Sequence, residues 1–107
     1  MTRVRVWAGA CGFTNVIKVR KITDLTVSIK IISACKLVRE MNEDLMIVDC
    51  KEGVFSKIFD SIVYESANRR LKQHTDCPVP CAILKAIQVE IGGSVRKETL
   101  ITFEDEG

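Results

Sequence analysis

Five cysteines and a single histidine are the side chains of this 107-residue chain best suited to soft-metal or thiol chemistry. Three of the cysteines sit where the local pattern changes. Cys11 lies in Gly9-Ala10-Cys11-Gly12, a turn-forming run between two alternating segments. Cys35 follows Ser33, where alternation gives way to helical spacing. Cys77 lies in Asp76-Cys77-Pro78-Val79-Pro80, just ahead of a further helical run. A cysteine at a helix start meets unpaired backbone N–H groups and the positive end of the helix dipole. Both lower its pKa and favour the thiolate, the form that binds metal. Cys11, Cys35 and Cys77 are therefore expected to converge on a metal ion or an iron–sulfur cluster. Cys81, about one helical turn beyond Cys77, and His74, three residues before it, are candidates to extend the same site. Cys50, beside Met46-Ile47-Val48, reads as a buried thiol instead.

Three thiolates can hold a zinc ion or a labile cluster, with the fourth position left to Cys81, His74, Asp76, a partner or solvent. There is no Cys-x-x-Cys pair, so the spacing is neither that of a zinc ribbon nor that of a ferredoxin. Two other readings stand beside this one. Cys77 with His74 as base would suit a thiol enzyme or sulfur carrier. A non-catalytic binding module would keep its cysteines only as small core residues. Hydrolase and phosphate-loop motifs are missing from the sequence, which reads as a binding or carrier protein before an enzyme.

The elements that must position these residues follow from periodicity. Arg3 to Ala8, Thr14 to Ile22 and Thr26 to Ile31 alternate polar and apolar, as half-buried strands do. In the second, Val16, Lys18 and Arg20 share one face and Ile17, Val19 and Lys21 the other. Short connections make these an antiparallel meander. Ser33 is expected to cap a helix from Ala34 to about Glu43, and Ser56 a longer one to Leu71. Leu45 to Val48 is too short to classify. Lys72 to Pro80 is a loop, Pro80 suits the first turn of a third helix running to Ile91, and Gly92-Gly93 stops it. Glu98 to Phe103 alternates again and predicts a C-terminal fourth strand. The fold expected is α+β: a three-stranded meander, then three helices, then that strand, in one domain over residues 1–107. Trp7 is expected in the core and Arg69-Arg70 at a solvated helix end.

Hydrophobic residues make up 47% of the chain, enough for a core at this length. The net charge of +2, with basic residues spread along the sequence, gives no electrostatic case for nucleic acid. Glu104-Asp105-Glu106 reads as a short solvated tail. The chain lacks an apolar run long enough to span a bilayer, and Arg3 and Arg5 interrupt the only stretch a signal peptide would need. The expectation is a cytoplasmic protein without membrane contact, its thiols kept reduced. An odd number of cysteines excludes complete intrachain disulfide pairing.

The residues also carry a resemblance. Ala10-Cys11-Gly12 leads into a strand containing Ile17-Lys18-Val19, Cys35 follows a strand and opens a helix, and His74 and Cys77 precede Ala82-Ile83-Leu84-Lys85-Ala86-Ile87. Over about residues 3 to 91 this order resembles the IscU/NifU-type iron–sulfur scaffolds. The intervals, 24 residues from Cys11 to Cys35 and 42 from Cys35 to Cys77, are close to those of that family. The resemblance implies a cluster held by the three cysteines. It also implies a sulfur donor and an acceptor apoprotein as partners. The chain departs from the scaffolds at Phe13, where they carry an aspartate, and at Thr75-Asp76, which separate His74 from Cys77. The Cys-Gly-Phe and Cys-Pro-Val-Pro segments also resemble small uncharacterised proteins of anaerobes.

Overall fold

The computed structural model describes residues 1–105; Glu106 of the expected acidic tail lies outside them. Four strands form one antiparallel sheet in the order β1-β2-β3-β4: Thr2–Trp7, Thr14–Thr23, Thr26–Ser33 and Ile47–Asp49. The first three are the meander read from the sequence. Val4 opposes Ile17, and Ile17 opposes Ile31, so one face of the sheet is apolar across its width. Helices α1 (Lys36–Glu40), α2 (Asn42–Leu45) and α5 (Val79–Glu90) cover that face, and α4 (Ile62–Arg70) packs behind them. The core joins Ile17, Val19 and Ile29 of the sheet to Met41, Leu45, Val63, Ile83 and Ile87 of the helices. No helix among the described residues is long and apolar enough to cross a membrane.

The α+β class stands, but the fourth strand is Ile47–Asp49, taken from the short segment left unclassified. Glu98–Phe103 forms no strand, because alternation alone does not hold a strand that has no neighbour to pair with. Among the described residues, five α-helices form where three were expected. The helix expected over 34–43 breaks at Met41, and Asn42 explains the break. Its Oδ1 accepts from the Ile31 N–H at 2.7 Å and its Nδ2 donates to the Ile31 carbonyl at 2.8 Å. The side chain acts as a strand partner for β3 where β4, paired only to residues 26–28, does not reach. Cys35, not Ser33, is the N-cap of α1.

The helix expected from Ser56 starts instead at Ile62, because the buried Ser61 hydroxyl accepts from the Tyr64 N–H and caps there. A short α3 (Cys50–Gly53) follows β4 and buries Cys50 as expected. Arg70 is not a solvated helix end. Its Nε and Nη2 each reach an Asp44 carboxylate oxygen at 3.0 Å, tying α4 to α2. The Arg70 hydrogen bond holds Asp44 well below the usual carboxylate range, against burial that opposes it and with the Ser66 hydroxyl assisting.

Among the described residues, no helix packs on the other face of the sheet. Trp7 lies there, 63% exposed, because it shares strand parity with Arg3 and Arg5. The same alternation gathers Arg3, Arg5, Lys18, Arg20 and Lys30 on this face. Arg3 opposes Lys18 and Lys18 opposes Lys30, a row of three cations across three strands. A small net charge had hidden this concentration.

Candidate functional site

Strand pairing sets the site. Trp7 opposes Thr14 and Asn15 opposes Ser33, so the β1–β2 turn and the end of β3 lie at one end of the sheet. In the turn, residues Gly9–Cys11 form one 3-10 turn closed by Gly12, whose N–H donates to the Gly9 carbonyl at 2.9 Å. Gly12 holds φ at +73°, a left-handed conformation that glycine adopts without strain. Cys11 is exposed at this tip.

Cys35 is held more firmly. Its N–H donates to the Ser33 hydroxyl at 3.0 Å, and its carbonyl accepts from the Arg39 N–H at 2.9 Å, starting α1. The Ser33 hydroxyl in turn donates to Asn15 Oδ1, and Asn15 Nδ2 donates to the Val6 carbonyl at 3.4 Å. Asn15 is 1% exposed. This polar chain fastens the ends of β1, β2 and β3 together behind Cys35. Sequence reading missed it, although a signal was present: Asn15 has the parity of Ile17 and Val19 and so had to face the core.

Cys77 stands two residues before α5, in a turn where its N–H donates to the His74 carbonyl at 3.3 Å. Val79 and Pro80 are buried beneath the start of α5, which packs on β1 and β2 and brings Cys77 to the same end of the sheet. Cys77 is half-buried, and Cys35 and Cys77 both pack against the core. Burial pushes the Cys77 thiol above its ordinary pKa. The Val79 N–H opposes this by donating to the sulfur, while negative charge at Cys35, Cys11 and Asp76 raises the pKa further. The lowering expected from a helix start is thus outweighed at Cys77. Charge at Cys11 and at Cys35 thus acts on the Cys77 thiol, with burial as the larger cause.

The remaining candidates lie around this trio. Cys81 is exposed on α5, and its charge acts on the Tyr64 phenol, whose pKa is raised chiefly by burial. His74 is exposed and shares a groove of about 530 Å³ with Cys77, Tyr64, Leu71 and the exposed Ile58 and Phe59. Among the described residues, no three His, Cys, Asp or Glu side chains are already arranged to hold a metal ion. The segments bearing Cys11, Cys35 and Cys77 thus share one end of the sheet, and their side chains form no ready coordination shell. No curated protein and no solved structure is significantly similar to the chain. A family profile does match residues 2–103, and by that match the protein belongs to DUF6951, a family of unknown function.

Proposed function

We propose that this protein captures a soft metal ion or an iron–sulfur cluster as cargo through Cys11, Cys35 and Cys77, as an assembly or delivery protein would. One observation supports the reading: the segments that carry Cys11, Cys35 and Cys77 lie at one end of the sheet, and charge at Cys11 and Cys35 acts on Cys77. The donor set suits the cargo, since thiolates select zinc, copper(I) and iron–sulfur clusters over harder cations. Cys35 and Cys77 would supply donors fixed by the core. Cys11, on an exposed turn with open space around Gly9 and Gly12, would complete the set. An exposed position suits cargo that is passed on. The resemblance of cysteine order and spacing to the IscU/NifU-type scaffolds supports the same reading. It adds a sulfur donor and an acceptor apoprotein as partners.

Anaerobic reconstitution with iron and sulfide, and separately with zinc, tests the proposal by absorbance and metal analysis. Stoichiometric loading is expected. It should be lost in each of Cys11→Ser, Cys35→Ser and Cys77→Ser and kept in Cys50→Ser and Cys81→Ser. A colourless, metal-free product from folded protein would overturn it.

A second reading rests on the groove that His74 and Cys77 share. In a sulfur carrier, the Cys77 thiolate would attack the outer sulfur of a donor persulfide. A new persulfide would form on Cys77 and the donor thiolate would leave. The raised pKa of Cys77 weighs against this, because it lowers the thiolate fraction at neutral pH. Mass spectrometry after exposure to a persulfide donor separates the two: a carrier gains sulfur at Cys77 alone.

A further inference from the structure

Residues 94–105 follow the Gly92-Gly93 stop of α5, and every one of them is exposed. Val95, Leu100, Ile101 and Phe103 are between 71% and 102% exposed. Among the described residues, no hydrogen bond joins residues 98–105 to the body. A merely solvated tail is polar, whereas this one alternates, with Thr99, Ile101 and Phe103 on one side and Glu98, Leu100, Thr102 and Glu104 on the other. At the same time β1 is an edge strand of six residues, paired among the described residues only to β2. Its outer backbone groups are a template for another strand.

We propose that residues 98–105 of one copy pair antiparallel with the free edge of β1 in a second copy, and reciprocally, to give a strand-exchanged dimer. One register satisfies both faces. Ile101 lies opposite Val6 and Phe103 opposite Val4, extending the apolar face of the sheet. Leu100 then meets Trp7, which is otherwise exposed, and Glu104 meets Arg3 at the end of the cationic row. A shift of two residues in either direction places Asp105 beside Val4 or leaves Arg3 without its carboxylate. The second copy is the occupant because, within its own chain, residues 92–105 are all exposed and, among the described residues, 98–105 make no hydrogen bond to β1. This inference is independent of the cysteine site.

Light scattering on the eluting full-length chain should give twice the mass of the 12.0 kDa chain. The chain ended after Gly93, and the double variant Ile101→Lys with Phe103→Asp, should give a single mass with unchanged circular dichroism. Hydrogen exchange should show β1 amides protected in the full chain and at least tenfold faster in both variants. A full chain that is monomeric up to millimolar concentration overturns the proposal, and protected tail amides in that monomer would assign the strand to its own chain. A dimer that persists in both variants overturns it equally.

Discussion

Replacing Asn15 by alanine removes the centre of the polar chain that joins β1, β2 and β3 behind Cys35. Two hydrogen bonds go: the one Asn15 accepts from the Ser33 hydroxyl and the one it donates to the Val6 carbonyl. Each contributes about 1 kcal/mol net, and a buried group left without its partner costs about 1–3 kcal/mol. Asn15 is 1% exposed, so water does not replace the lost partner at the Val6 carbonyl without a rearrangement. The Ser33 hydroxyl is only half-buried and can turn toward solvent. The sum is a destabilisation of about 2–4 kcal/mol, a large share of the roughly 5–15 kcal/mol that holds a domain folded. Ser33→Ala loses the same bond and also the acceptor for the Cys35 N–H, for about 1–3 kcal/mol. Because the two variants share one bond, their effects should not add. Urea unfolding of both singles and the double variant should give a coupling energy of about 1 kcal/mol or more. Additivity within about 0.5 kcal/mol would refute the idea that Asn15 and Ser33 act as one unit.

Three further outcomes follow from the charges. Asp44 has a folded pKa below its ordinary value, held there first by Arg70, so its contribution is full above the unfolded pKa of about 4 and is lost progressively as pH falls from that value through the lower folded pKa. Stability measured from pH 6 downward should therefore fall less steeply in Asp44→Asn than in the parent chain. Cys77 is shifted upward by burial, so its contribution is full below the unfolded thiol pKa and is lost as pH rises from there through the higher folded pKa. In alkylation followed by mass spectrometry at neutral pH, Cys77 should react more slowly than the exposed Cys11 and Cys81, and equal rates would contradict the burial. Lys18 lies between Arg3 and Lys30 on the open face, and like charges placed opposite one another destabilise a sheet. Lys18→Glu should raise stability by about 0.2–1 kcal/mol at low salt, with the gain shrinking as salt screens the row.

The parts of the fold written as local pattern were legible. Alternation located the three long strands, Gly9 and Gly12 marked the turn that carries Cys11, and Pro80 with Gly92-Gly93 bracketed α5. What escaped were positions where a side chain substitutes for backbone. Asn42 reads as a helical residue, yet it ends α1 by pairing with Ile31 on β3, a contact 11 residues away in sequence. Two serines could have capped α4, and the choice of Ser61 depended on tertiary burial of its hydroxyl. Trp7 was expected in the core, although its parity with Arg3 and Arg5 placed it outward. That the segments bearing Cys11, Cys35 and Cys77 share one end of the sheet was legible only as order along the chain. How far each sulfur is held depends on contacts that no spacing encodes.

That unequal hold bears on what the site can do. Two thiolates about 4 Å apart repel by about 4 kcal/mol at an effective dielectric of 20, so three held in contact would strain the free protein. The chain instead anchors Cys35 through Ser33 and Asn15, keeps Cys77 protonated by burial, and leaves Cys11 on an exposed turn without packing. For cargo capture this division has a consequence. Under the proposed function, binding would displace the Cys77 proton, so affinity would fall as pH drops, and release would be favoured by whatever draws Cys11 away first. A site with all three sulfurs rigidly placed would bind more tightly and let go less readily, which would suit a resident cofactor better than something to be handed on.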